Sequence, residues 1–89
     1  MGGWCVYIIE CGDGSLYTGI TNDVKARMAA HKSGNGSKYV ARAGFLRLLH
    51  AISCENKGEA AKLEWKIKHL PRSSKIQFFL NHPKLAIQD

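Results

Sequence analysis

This sequence is short of the features that mark membrane, secreted and metal-cluster proteins. No apolar run approaches the roughly 20 residues that a bilayer-spanning helix requires. The Met1-Gly2-Gly3-Trp4 start has neither a basic leader nor a small-residue cleavage site, and Val6 stands where a myristoylation motif needs Ser or Thr. Cysteine occurs at Cys5, Cys11 and Cys54, an odd set without Cys-x-x-Cys spacing. That pattern argues against a disulfide framework and a zinc site and points to a reducing cytoplasmic setting. The histidines His31, His50, His69 and His82 are scattered at no metal-ligand spacing. Gly12-Asp13-Gly14 lacks the further glycine and lysine of a nucleotide-phosphate loop.

Acidic residues are also scarce. Asp and Glu number 7 against 13 Lys and Arg, giving a net charge of +6 and a pI near 9.5. A small basic domain favours a polyanionic partner through counterion release. With 45% hydrophobic residues over 89 positions, the chain is expected to form one globular domain over residues 1–89, with no membrane partner.

Trp4 to Glu10 is β-branched and aromatic on both faces, which predicts an inner strand. Leu16 to Ile20 reads as the returning arm of a hairpin. A two-residue Asp13-Gly14 turn would put Tyr7 and Tyr17 on opposite faces. A three-residue Gly12-Asp13-Gly14 loop pairs Ile9 with Tyr17 and gathers Tyr7, Tyr17 and Gly19 on one face; the glycines favour this second register.

Asn22 is the expected N-cap of a helix running to about Lys32, with Val24, Arg27, Met28 and His31 on one face. Taken alone, Arg27 reads as a side chain whose stem snorkels along apolar surface. Residues 33–44 read as a basic surface loop in which Lys38, Tyr39 and Arg42 could grip phosphates. Phe45 to Cys54 is assigned to the third strand, and residues 59–70 to an amphipathic helix ended by Pro71, with Ala60, Leu63, Ile67 and Leu70 inward. Glu64 borders that stripe with Lys68 at i+4, while Trp65 points away. Ser73 or Ser74 would cap a last helix with Ile76, Phe79 and Leu80 facing inward, and residues 84–89 would form a docked tail. The fold class is α+β, a three-stranded antiparallel sheet flanked by helices in the order β-β-α-β-α-α.

These residues, in this order, resemble the GIY-YIG nuclease superfamily, in particular its small stand-alone bacterial YhbQ-like members. The resemblance spans Trp4 to about Leu70. It rests on Trp4 to Cys11, Gly14 to Thr21, Asp23-Val24 followed by Arg27 and His31, Gly36-Ser37-Lys38-Tyr39, and Glu59-Ala60 with Glu64 and Ile67-Lys68. Each segment is weak alone; together they are specific. Val6, Ile8 and Thr18 depart from the family pattern without touching the reacting groups, and no residue matches the asparagine that larger members carry near the end of the site.

The resemblance implies a metal-dependent endonuclease acting on DNA rather than RNA, with a role in repair or recombination. It assigns Tyr7, Tyr17, Arg27 and His31 to catalysis, Glu64 to one Mg²⁺ or Mn²⁺ ion, and Gly19, Lys38, Tyr39 and Arg42 to substrate. The chemistry wants these types: a planar arginine fork for the phosphate, a hydroxyl and an imidazole for proton traffic, and one carboxylate for a hydrated ion. Arg27 and the metal are expected to lower the tyrosine pKa. Two alternatives stand: a nucleic-acid-binding module that does not cut, and a catalytic subunit whose protein partner supplies substrate targeting.

Overall fold

The computed structural model describes residues 3–83, so the expected docked tail at 84–89 lies outside the described residues. The elements are β1 (Trp4–Cys11), β2 (Leu16–Thr21), α1 (Val24–Lys32), α2 (Lys38–Ala43), β3 (Phe45–Cys54), α3 (Lys57–Lys68) and α4 (Arg72–Leu80). They form an antiparallel sheet in the order β2-β1-β3, flanked by helices. The expected β-β-α-β-α-α order holds, with one short helix added. Among the described residues no helix is long and apolar enough to cross a membrane.

β1 is the inner strand, and every residue from Cys5 to Ile9 is buried. A strand covered on both sides must be apolar at successive positions, as this one is. Ile9 pairs with Tyr17 and Tyr7 with Gly19. The Cys11 N–H donates to Ser15 O at 2.9 Å and the Gly14 N–H to Cys11 O at 2.9 Å, closing a loop of Gly12, Asp13 and Gly14. Gly14 takes φ of 87°, the left-handed value that such a bulged loop needs and that glycine adopts without a steric penalty. The side chains of Tyr7, Ile9 and Tyr17 therefore share a face with Gly19.

β3 pairs with β1 through two irregularities, between Ile8 and Ile9 and between Glu10 and Cys11. These leave Leu49 and Leu46 as extra residues on the β3 side, which explains why the β3 sequence is apolar at almost every position instead of alternating. Each bulge moves the residues beyond it to the other face. Leu48 and Phe45 thus join the Tyr7 face while Leu49 packs on the opposite one.

The two faces are covered separately. Val6, Ile8, Ile52 and Cys54 pack against Ala60 and Ile67 of α3 and Phe79 of α4. Tyr7, Ile9, Cys11 and Ala51 pack against Val40 of α2, with Met28 of α1 alongside.

Several local expectations are corrected. Asp23, not Asn22, caps α1, its carboxylate accepting from Ala26 N at 3.1 Å. Residues 33–44 are not all loop: Ser37 caps α2 and Gly44, at φ of 88°, closes it. A six-residue helix is too short to persist on propensity; the complete burial of Val40 holds it in place. The helix expected from residue 59 begins earlier, at Lys57, because Asn56 caps α3. It ends at Lys68 with His69 as C-cap, ahead of Pro71.

α4 starts at Arg72 with Pro71 at the cap position and no side-chain cap, so neither Ser73 nor Ser74 serves. Proline's fixed φ makes it a ready helix start without a serine. Phe79 is buried as expected, but Ile76 and Leu80 are exposed. α4 is turned so that Phe79 meets His50, with ring centroids 5.5 Å apart, and Phe78 takes a half-buried place beside the same core.

Candidate active site

β1, β2, α1 and α2 bring the predicted aromatic and basic residues to one face. Tyr7 and His31 are both almost fully buried, and the Tyr7 hydroxyl lies 2.8 Å from His31 Nε2. That hydrogen bond joins the central strand to the last turn of α1. One of the two groups donates and the other accepts, according to which ring nitrogen carries the proton. His31 Nδ1 is buried without a hydrogen-bond partner.

The surrounding rings fix both side chains. Tyr7 and Tyr17 centroids are 6.4 Å apart, and Tyr17 meets His31 edge-on at 5.6 Å. Phe45 lies parallel to the imidazole at 6.5 Å, delivered there by the β3 bulges. Tyr39 stacks on Tyr17 with centroids 5.8 Å apart and remains half exposed.

Glycines make the room. A Cβ on Gly19 would stand 2.5 Å from the Tyr7 hydroxyl oxygen and 3.1 Å from a Tyr17 ring carbon. The space that Gly19 was expected to leave for a substrate backbone is filled by Tyr7 itself. Gly36 does the same for His31, since a Cβ there would collide with Nδ1. Residue patterning did not single out Gly36 as a site residue; its signal is a glycine just ahead of the Ser37 cap.

Burial governs the titration of the pair. It pushes the Tyr7 phenol well above its ordinary value; Tyr17 and the Glu64 carboxylate add to the rise, and Arg27 opposes it. The expectation that Arg27 would leave a lowered phenol is thus corrected: burial of the residue outweighs one neighbouring cation. Burial also pulls His31 below the usual imidazole value, and Arg27 lowers it further. Both groups are consequently neutral near pH 7.

Arg27 sits half-buried on α1, one turn before His31, and lines an open cleft of about 380 Å³ with Thr21, Asn22, Asp23, Asn35 and Gly36. Lys38, Tyr39 and Arg42 line a second pocket of about 250 Å³ with Asp13 and Ala43. The hairpin loop clamps that region, as the Gly12 N–H donates to Gly44 O at 2.8 Å and the Asp13 N–H to Ala43 O at 3.2 Å. The Asp13 carboxylate is turned to Ser15, accepting from its N–H at 3.0 Å and its hydroxyl at 2.6 Å.

Glu64 arrives from the opposite layer. α3 lies across β1 and β2, and its Glu64 and Lys68 flank comes round the β2 edge. Lys68 Nζ stands 6.0 Å over the Tyr17 ring and 3.2 Å from Glu64 Oε2. The Glu64 carboxylate adds to the rise of the Tyr7 phenol, while Arg27 and the Lys38, Tyr39 and Arg42 group line two separate clefts. Among the described residues there is no group of three or more His, Cys, Asp or Glu side chains able to enclose a metal. Asn81 ends α4, a helix of the other layer, and its carbonyl oxygen accepts from Gln77 Nε2 at 3.3 Å.

The cysteines do not enter the chemistry. All three are buried and unpaired, and burial raises Cys5 to about 11, leaving a thiol too protonated to act as a nucleophile.

Comparison with known proteins identifies the family of this fold. Residues 3–77 match the family described as the GIY-YIG catalytic domain. A UPF0213 protein of Halobacterium salinarum is 45% identical over 74 residues, covering 83% of this chain and 96% of the relative. The UPF0213 protein BH0048 of Halalkalibacterium halodurans is 47% identical over 72 residues, covering 81% of this chain and 77% of the relative. A solution NMR structure of the UPF0213 protein BH0048 from Bacillus halodurans superimposes with a TM-score of 0.54 at 45% identity, over 85% of this chain and 81% of that one. By sequence over most of its length and by fold, this chain belongs to the GIY-YIG family.

Proposed function

We propose that this protein is a divalent-metal-dependent endonuclease that hydrolyses phosphodiester bonds in DNA within the cytoplasm. The observation that carries the reading is the buried Tyr7 to His31 hydrogen bond of 2.8 Å, with Arg27 one turn before His31 on the same helix.

Arg27 grips the scissile phosphate through its planar guanidinium fork. Tyr7 donates its hydroxyl proton toward His31 Nε2, which leaves the oxygen lone pairs free on the side of the attacking water. As the water oxygen bonds to phosphorus, its proton passes to the Tyr7 oxygen and the Tyr7 proton passes to His31; the bond from phosphorus to the 3′ oxygen breaks. A phenol held above its normal pKa is not a ready-made base, so the transfer to neutral His31 must accompany attack rather than precede it. The negative charge of the substrate phosphate at the site mouth then offsets the cost of charging one buried group, the His31 imidazole. Tyr17 walls the outer side of the relay, and Lys38 and Arg42 bind flanking phosphates beside Tyr39.

The donor set fits an ion that keeps most of its waters. Glu64 is a partly exposed carboxylate whose partner, the Lys68 ammonium, is itself 49% exposed and can be displaced. One such carboxylate together with substrate phosphate suits Mg²⁺ or Mn²⁺. The bound ion would neutralise charge on the phosphoryl oxygens and stabilise the leaving oxygen.

A second reading is favoured by the same ion pair: with Lys68 satisfying Glu64, the domain could bind nucleic acid without cutting it or await a protein partner that presents substrate. Nicking of branched and single-stranded DNA with Mg²⁺ or Mn²⁺ separates the two. Cleavage that is lost in Arg27→Ala and Glu64→Ala supports the nuclease; no cleavage, or cleavage indifferent to both changes, sinks it.

A further inference from the structure

α3 carries a second feature beside Glu64. Successive helix residues turn by about 100° and rise by about 1.5 Å. With Ala60, Leu63 and Ile67 against the sheet, the surface running outward from Glu64 passes Lys68 and Ala61, then Trp65 and His69, then Lys62 and Lys66. Trp65 is 66% exposed, as open to water as any large hydrophobic side chain among the described residues. Its indole is nevertheless held: the His69 ring packs on it with centroids 4.1 Å apart, and His69 Nδ1 lies 2.7 Å from the Trp65 carbonyl oxygen. This arc of the helix contains no carboxylate, whereas lysines stand on both sides of the indole.

An indole left in water forfeits the burial its large surface could provide. Here it is ordered on one side, open on the other and ringed with positive charge, which is the make-up of a stacking platform for nucleic-acid bases. We propose that Trp65, backed by His69, stacks an unpaired base of a single-stranded nucleic acid whose backbone runs over Lys68 toward Glu64. A paired base is enclosed by its neighbours in a duplex and presents no free ring face, so the indole selects a strand that is single-stranded at this point. The inference rests on the nuclease reading above and names the substrate class of that same site.

The test uses the full chain carrying Trp4→Phe, which leaves Trp65 as the remaining tryptophan. A fluorescein-labelled oligothymidylate is followed by anisotropy, and Trp65 emission is followed with the unlabelled oligomer, both in EDTA so that cleavage plays no part. The expected result is strong quenching of Trp65 by the single strand and little by a blunt duplex of equal length. Trp65→Ala, whose thermal midpoint should stay unchanged because the side chain is exposed, loses about tenfold in affinity. Trp65→Phe recovers most of that loss, and the slope of affinity against salt stays constant, since stacking releases no counterions.

Anisotropy that reports binding while Trp65 emission stays fixed would overturn the proposal. Equal affinity of Trp65→Ala, or equal quenching by duplex, would do so as well. These outcomes leave the nuclease reading standing, whereas failure of every oligomer to bind removes that reading and this one together.

Discussion

Gly19 lies directly opposite Tyr7 in the β1–β2 register, and the Tyr7 phenol occupies the volume a Gly19 side chain would take, 2.5 Å from its Cβ position to the hydroxyl oxygen. The hairpin therefore does more than place two tyrosines on one face. It lays Tyr7 flat across the edge strand, where the hydroxyl can meet His31 from α1.

Gly19→Ala should show this directly. Tyr7 is enclosed and has no room to retreat, so the added methyl forces the ring off His31. Overpacking of this kind costs about 1–3 kcal/mol. A urea midpoint equal to that of the wild type, with cleavage intact, would contradict the packing described.

Tyr7→Phe removes the relay and leaves His31 Nε2 buried without a partner. Cleavage should fall by about 10²–10⁴, and stability by about 1–3 kcal/mol for the orphaned nitrogen. Adding His31→Leu should restore much of the stability, because both polar partners are then gone, without restoring activity. Denaturant midpoints and nicking rates on the two variants test the pair; recovery of cleavage in the double variant would exclude the relay.

The depressed His31 pKa gives stability a pH dependence of known sign. The unfolded imidazole takes up a proton near its ordinary value of about 6.5, while the folded one resists it. Unfolding is then coupled to proton uptake. The contribution is complete above about pH 6.5 and is lost as pH falls through the lower folded value. Thermal midpoints between about pH 7.5 and 5 should drop more steeply for the wild type than for Tyr7→Phe/His31→Leu; parallel curves would mean that His31 is not the group responsible.

Glu64→Gln should separate chemistry from stability. Its partner is the exposed Lys68, so breaking the pair costs less than about 1 kcal/mol. Cleavage should nonetheless vanish at every Mg²⁺ or Mn²⁺ concentration, while oligonucleotide affinity in EDTA persists. Wild-type cleavage by Glu64→Gln would remove the carboxylate from the site.

Much of this site could be read from local pattern. Helical spacing set Arg27 and His31 one turn apart, and the glycine-rich Gly12 to Gly14 connection selected the register that unites Tyr7, Tyr17 and Gly19. α2 was harder to see. Its serine cap and closing glycine were present, but so short a helix is stabilised by Val40 entering the core, a long-range event. The β3 bulges hid in a run of apolar residues for a similar reason: which of them face which side depends on pairing with β1.

The sequence by itself determined the strands of the hairpin, their register and the helical face that carries His31, because those follow from backbone periodicity and from residues near one another in the chain. Only the tertiary structure decided that Tyr7 is a neutral phenol with a raised pKa, since desolvation depends on everything packed around it. It alone showed that Gly19 and Gly36 serve Tyr7 and His31 by their missing side chains. It alone showed Lys68, paired with Glu64, standing over the Tyr17 ring, because the reach of a helix across a sheet is fixed by how both bury their apolar faces.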